Sequence, residues 1–118
     1  MLARNNIIST WGFPMDEIKS ELLNFQKERD WKKFHTPENL AKSISIEAAE
    51  LLEHFQWGKE YDVNEVSEEL ADVLIYSIYM ADLLDVDIKE IILDKIEKNA
   101  LKYPVDKSKG NAKKYTEF

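Results

Sequence analysis

From Val63 to Leu84 the chain reads VNEVSEELADVLIYSIYMADLL, the longest helical segment in the sequence. Its second half, from Val73 on, is apolar nearly all round. A helix of that kind is buried on most of its sides. Four helical segments are readable in the whole chain, and four helices of this length struggle to cover so much apolar surface. The expectation is therefore an all-α, four-helix-bundle-type fold that is completed by oligomerisation.

The other three helices follow from periodicity and end signals. The first runs from about Asp16 to Trp31, with Ile18, Leu22, Phe25 and Arg29 on one stripe. Thr36 caps the second, with Pro37 at its first position, and Gly58 is placed to stop it near Trp57. Asp87 and Glu90 have capping-box spacing at the start of the fourth, which ends at Tyr103 because Pro104 follows. Strand signals are essentially missing. Residues 1–118 read as a single domain, with an N-terminal arm over residues 1–15 and a basic, irregular C-terminal tail over residues 105–118.

The acids are arranged unusually within these helices. In SIEAAELLEHFQW, Glu47 and Glu50 lie one turn apart, hemmed in by Ile44, Ala48, Leu51 and Leu52. They share a stripe with Ser43 and His54, beside an apolar stripe that runs through Ile44, Ala48, Leu51, Leu52 and Phe55. The third helix repeats the design: Glu69, Asp72 and Tyr76 lie together, next to a face made of Leu70, Leu74, Ser77, Ile78 and Ala81. One acidic pair is an ordinary solvated face. Two pairs embedded in apolar sequence converge four carboxylates if their helices face each other, and such a cluster repels itself. A hard divalent cation relieves the repulsion. Mg²⁺ suits carboxylate oxygens together with substrate phosphates, and Mn²⁺ is a possible substitute. A di-iron bundle would need Glu-x-x-His pairs, which neither His35 nor His54 supplies.

Two further sets of residues suit a nucleotide. Lys95, Asn99, Lys102 and Tyr103 fall along one side of the fourth helix and can meet phosphate and sugar oxygens. The two lysines are equally the cations that a helix dipole favours near its C-terminus. Trp31, Phe34 and His35 precede the second helix, Trp57 follows it, and Tyr76 lies beyond Asp72. Aromatic faces of this kind stack on a nucleobase or fill a core. His54 reads as a structural or exposed histidine rather than a ligand.

Composition removes several alternatives. The net charge of −7 argues against broad binding to nucleic acid or to an anionic membrane. There is no cysteine, hence no disulfide, thiolate site or cysteine nucleophile, and this fits a cytoplasmic protein. Three glycines leave no glycine-rich phosphate cradle. The N-terminus shows neither a signal peptide nor a membrane span.

EAAE followed by EELADVLIY resembles the Glu-x-x-Glu … Glu-x-x-Asp signature of the MazG-like, all-α nucleoside triphosphate pyrophosphohydrolases. ERDWKKFHTPENL, LLEHFQW, KNALKYP and KKYTEF are most similar to the dCTP pyrophosphatase branch. The resemblance runs from about Asp16 to the C-terminus. It implies Mg²⁺-dependent hydrolysis of a nucleoside triphosphate, dCTP or a related or modified nucleotide, to the monophosphate and pyrophosphate. It implies metal ligands, and with them the catalytic set, at Glu47, Glu50, Glu69 and Asp72. Phosphate and sugar contacts would fall at Lys95 and Asn99, and base contacts at Trp31, Trp57 and Tyr76 with His35. It also implies a homodimer or homotetramer, in which Lys113 or Lys114 of the tail would approach a neighbouring site. One departure is AA between the first two acids, where the family often has glycine. Alanine is the better helix former and keeps the spacing. The rival reading is a non-catalytic helical oligomerisation or regulatory module, which has no need of a four-acid set.

Overall fold

The computed structural model describes residues 15–118; the expected N-terminal arm lies, except for Met15, outside them. Among the described residues five α-helices follow in order: α1 (Met15–Glu28), α2 (Pro37–Glu53), α3 (Val63–Leu83), α4 (Ile88–Lys102) and α5 (Val105–Ser108). There is no strand among the described residues, and the fold is all-α as expected. The chain divides into two compact units, one ending at Leu84 and one spanning Asp85–Phe118.

Helix starts obey the capping chemistry. Thr36 Oγ1 accepts from the Asn39 N–H at 3.2 Å, with Pro37 at the first helical position. Asp62 and Asp87 accept from the N–H groups of Glu65 and Glu90, each at 3.0 Å. These bonds satisfy donors that the first turn leaves free.

Two helix ends depart from expectation. Helix α1 stops at Glu28, short of Trp31, and Asp30 adopts a left-handed φ of 53°. Helix α2 stops at Glu53: the His54 N–H turns back to Leu51 O, a tighter bond that closes the last turn before Gly58 is reached. Helix α3 ends with Leu84 as its cap, followed by Asp85 at φ 54°.

In the first unit α2 and α3 pack along each other, and α1 meets α3 over a shorter stretch. The buried apolar residues are Leu40, Ile78, Tyr79 and Ala81. Tyr79 donates its hydroxyl to Leu22 O at 2.9 Å, and Lys19 pairs with Asp82 at 3.4 Å, fastening α3 to α1. Much of the expected apolar surface stays open in this chain: Leu52 is 69% and Leu74 53% exposed.

In the second unit α4 has no buried residue. The tail is not irregular, because its aromatic residues have somewhere to pack. Tyr103 meets Tyr115 and Phe118 edge-on at 6.0 and 5.9 Å, and Lys102 Nζ lies 5.0 Å from the Tyr115 ring. A short 3-10 turn over Tyr115–Glu117 closes the chain, with the Lys114 N–H donating to Glu117.

Candidate active site

Packing α2 along α3 brings the acid-bearing stripes together. One carboxylate oxygen each from Glu47, Glu50 and Glu69 can be chosen so that all lie within 4.8 Å of one another. All three residues are half-buried. Glu47 Oε2 and Glu69 Oε2 are buried without a hydrogen-bond partner. Buried acceptors left this way are rare and call for an explanation, since each has lost water and gained nothing.

The electrostatics agree with that geometry. Burial, and then the close approach and charge of Glu50, push the Glu47 pKa up to about 7, with Asp72 and Glu69 adding to the rise. Glu69 is also raised, first by burial and then by Glu50, while His54 opposes the shift. Asp72 stands outside the tightest triad but close enough for its charge to act on Glu47 and on Tyr76. A set of oxygen donors with unpartnered buried atoms fits a hard divalent cation.

His54 belongs to this cluster, which the sequence reading missed. Its Nε2 lies 3.8 Å from Glu69 and its Nδ1 3.9 Å from Glu65, with the side chain 22% exposed. The available signal was its place on the stripe of Glu47 and Glu50, one turn beyond Glu50.

The base-binding candidates divide. Trp31, His35 and Tyr76 come together: His35 stands 6.4 Å from Trp31 and 6.3 Å from Tyr76, edge-on to both. Tyr76 bridges to the acids, since burial and then the charges of Glu47, Asp72 and Glu50 raise its phenol pKa. Tyr79, unforeseen as a neighbour, lies 5.0 Å from His35. Trp57 is 91% exposed, on a separate open hollow of about 660 Å³ lined by His54, Gly58, Lys59 and Glu60 as well.

Lys95, Asn99, Lys102 and Tyr103 all lie in the second unit, on or just after α4. Lys95 and Lys102 are exposed and make no ion pair among the described residues. Tyr103 is half-buried in its aromatic contacts with Tyr115 and Phe118.

The chain is similar to known proteins. The MazG-like family model matches residues 42–118, a span that holds all four acids and excludes Trp31 and His35. The dCTP pyrophosphatase 1 of Mus musculus is 35% identical, the match covering 88% of this chain and 67% of that protein. The Homo sapiens protein of the same name is 34% identical, with the same coverage of each. A crystal structure of a pyrophosphatase from Archaeoglobus fulgidus DSM 4304 superposes with a TM-score of 0.72 at 46% identity, covering 76% of this chain and 92% of that one. On the family match and on relatives aligned over most of its length, this chain belongs to the MazG-like family.

Proposed function

We propose that this chain is a divalent-metal-dependent nucleoside triphosphate pyrophosphatase, with Mg²⁺ as the working ion and dCTP or a related or modified deoxynucleotide as substrate. The observation that carries the reading is the triad of Glu47, Glu50 and Glu69 with its two buried, unpartnered oxygens. The family membership and the names of the relatives supply the reaction class.

In this reading water attacks the α-phosphorus, the α–β phosphoanhydride bond breaks, and nucleoside monophosphate and pyrophosphate leave. Glu47, Glu50, Glu69 and Asp72 would hold the cation, which when bound would neutralise phosphate charge and lower the pKa of water. Trp31, His35 and Tyr76, which stand together with Tyr76 next to the acids, receive the base; Trp57 is assigned to the same role by its motif. Lys95 offsets phosphate charge, while Asn99, Lys102 and Tyr103 contact phosphate or sugar. The support for these four is the KNALKYP motif. A homodimer or homotetramer would cover the open apolar residues of α2, α3 and α4. The absence of cysteine favours a cytoplasmic setting, where nucleotide pools are trimmed.

The test is pyrophosphate release from each common nucleoside triphosphate, with Mg²⁺, with Mn²⁺ and with EDTA. Release should require the ion and be fastest with a cytosine nucleotide. Undiminished turnover in EDTA would refute the metal mechanism, and no turnover with any nucleotide would refute the function.

A further inference from the structure

Gln26 is the one buried polar residue among those described, 6% exposed on α1. Burying an amide is costly unless its groups are paired. Its Nε2 lies 2.7 Å from Nδ1 of His35. An amide nitrogen has no lone pair to offer, so it donates and Nδ1 must accept. That fixes two things about His35. The ring is neutral, because an imidazolium would set N–H against N–H. Its single proton sits on Nε2, since the nitrogen bound by Gln26 has none. Burial independently lowers the His35 pKa, in the same direction. Nε2 has no hydrogen-bond partner among the described residues, and Tyr76, Tyr79 and Trp31 wall the ring on its sides.

We propose that Gln26 is a positioning residue that locks His35 as the Nε2–H tautomer, making it a fixed hydrogen-bond donor to an acceptor atom of the substrate's base. This rests on the reading of His35 as a base contact. The ligand class follows from the proton: a base edge with a carbonyl oxygen or an unprotonated ring nitrogen is accepted, and an exocyclic amine in that position is refused. The lock gives selectivity through a residue that never touches substrate. A histidine free to exchange tautomers would donate and accept alike.

Long-range ¹H–¹⁵N correlation on protein labelled at histidine reads the tautomer directly. The wild type should show His35 protonated at Nε2 alone, and that signal should move when a non-hydrolysable nucleoside triphosphate is added. Gln26→Met removes the donor, and Gln26→Glu supplies an acceptor that draws the proton to Nδ1. Each should raise KM for the preferred nucleotide about ten-fold, the worth of one hydrogen bond, while kcat stays within about two-fold. A purely structural Gln26 would lower the melting temperature and leave KM alone. A wild-type proton on Nδ1, an Nε2–H signal indifferent to nucleotide, or an unchanged KM in a folded variant overturns the proposal. If the variants do not fold, the wild-type spectra decide it. Absence of any hydrolysis by the wild type would overturn this proposal and the functional reading together, whereas hydrolysis with an unmoved KM overturns this proposal alone.

Discussion

His54, from the end of α2, reaches across to α3 and sets its Nε2 3.8 Å from Glu69 Oε1. Two negative neighbours, Glu65 and Glu69, flank one imidazole, so the ring steadies an acid that must otherwise hold its place against Glu47 and Glu50. If Glu69 ligates the proposed cation, a group that orients its carboxylate this way matters for ion affinity. His54→Ala should weaken Mg²⁺ binding about ten-fold with the fold intact. Calorimetric titration of the ion, or the Mg²⁺ dependence of turnover, reads this; an unchanged affinity would make His54 a bystander.

Without metal, the cluster makes stability depend on pH. Glu47 is raised from 4.5 to about 7 in the folded chain, chiefly by burial. Between those values the folded state keeps a proton that the unfolded chain has released, so stability falls as pH rises through the window and levels off above it. Glu69, also raised, adds to the same trend. Melting temperatures measured in EDTA should follow this slope, and Glu47→Gln should flatten it. A melting temperature that climbs across the window would contradict the assignment of Glu47.

Shape-preserving neutralisation separates chemistry from architecture. Glu50→Gln and Asp72→Asn should each lower turnover by orders of magnitude, while the metal-free variants melt no lower than the wild type, because a self-repelling charge has been removed. Glu21→Gln, on the exposed face of α1, is the control and should change nothing. Collapse of the fold in the first two would mark those acids as structural.

Light scattering at micromolar concentration should return a dimer or tetramer. Leu52 and Leu74 of the first unit are 69% and 53% exposed in the single chain, and Ile96 of the second unit is 57% exposed. A monomer of 13.8 kDa would show that these side chains stay in water.

The helices were legible in the sequence because their signals are local. Thr36, Asp62 and Asp87 cap through bonds reaching three residues ahead, which spacing alone reveals. The acid triad was legible for a related reason: a helical period puts Glu47 with Glu50, and packing α2 along α3 adds Glu69. What escaped reading depends on distant partners. Gln26 is not on the stripe that holds Phe25, yet Phe25 is 43% exposed and Gln26 is buried, because His35 lies beyond the helix and no periodicity points to it. The end of α2 was misplaced for the opposite reason. A glycine is a strong stop signal, but the tightened bond from His54 to Leu51 ended the helix first. The tail was expected to be irregular from its lysines and Gly110, and its order comes from Tyr115 and Phe118 finding Tyr103.

Asp85 closes α3 in a left-handed conformation, φ 54°, at the helix end where exposed carbonyls already concentrate negative charge. Few side chains tolerate that backbone, and of those that do, asparagine would carry no charge and glycine no steric cost. The chain therefore holds heat resistance in reserve at a position outside every proposed contact with substrate. Asp85→Asn should raise the melting temperature by a few degrees, at about 0.5 kcal/mol, without touching turnover. A lower melting temperature would mean that the carboxylate has a partner there which favours it. Thermal tolerance and catalysis would then be separately adjustable in this protein, the first through a helix stop and the second through its acids.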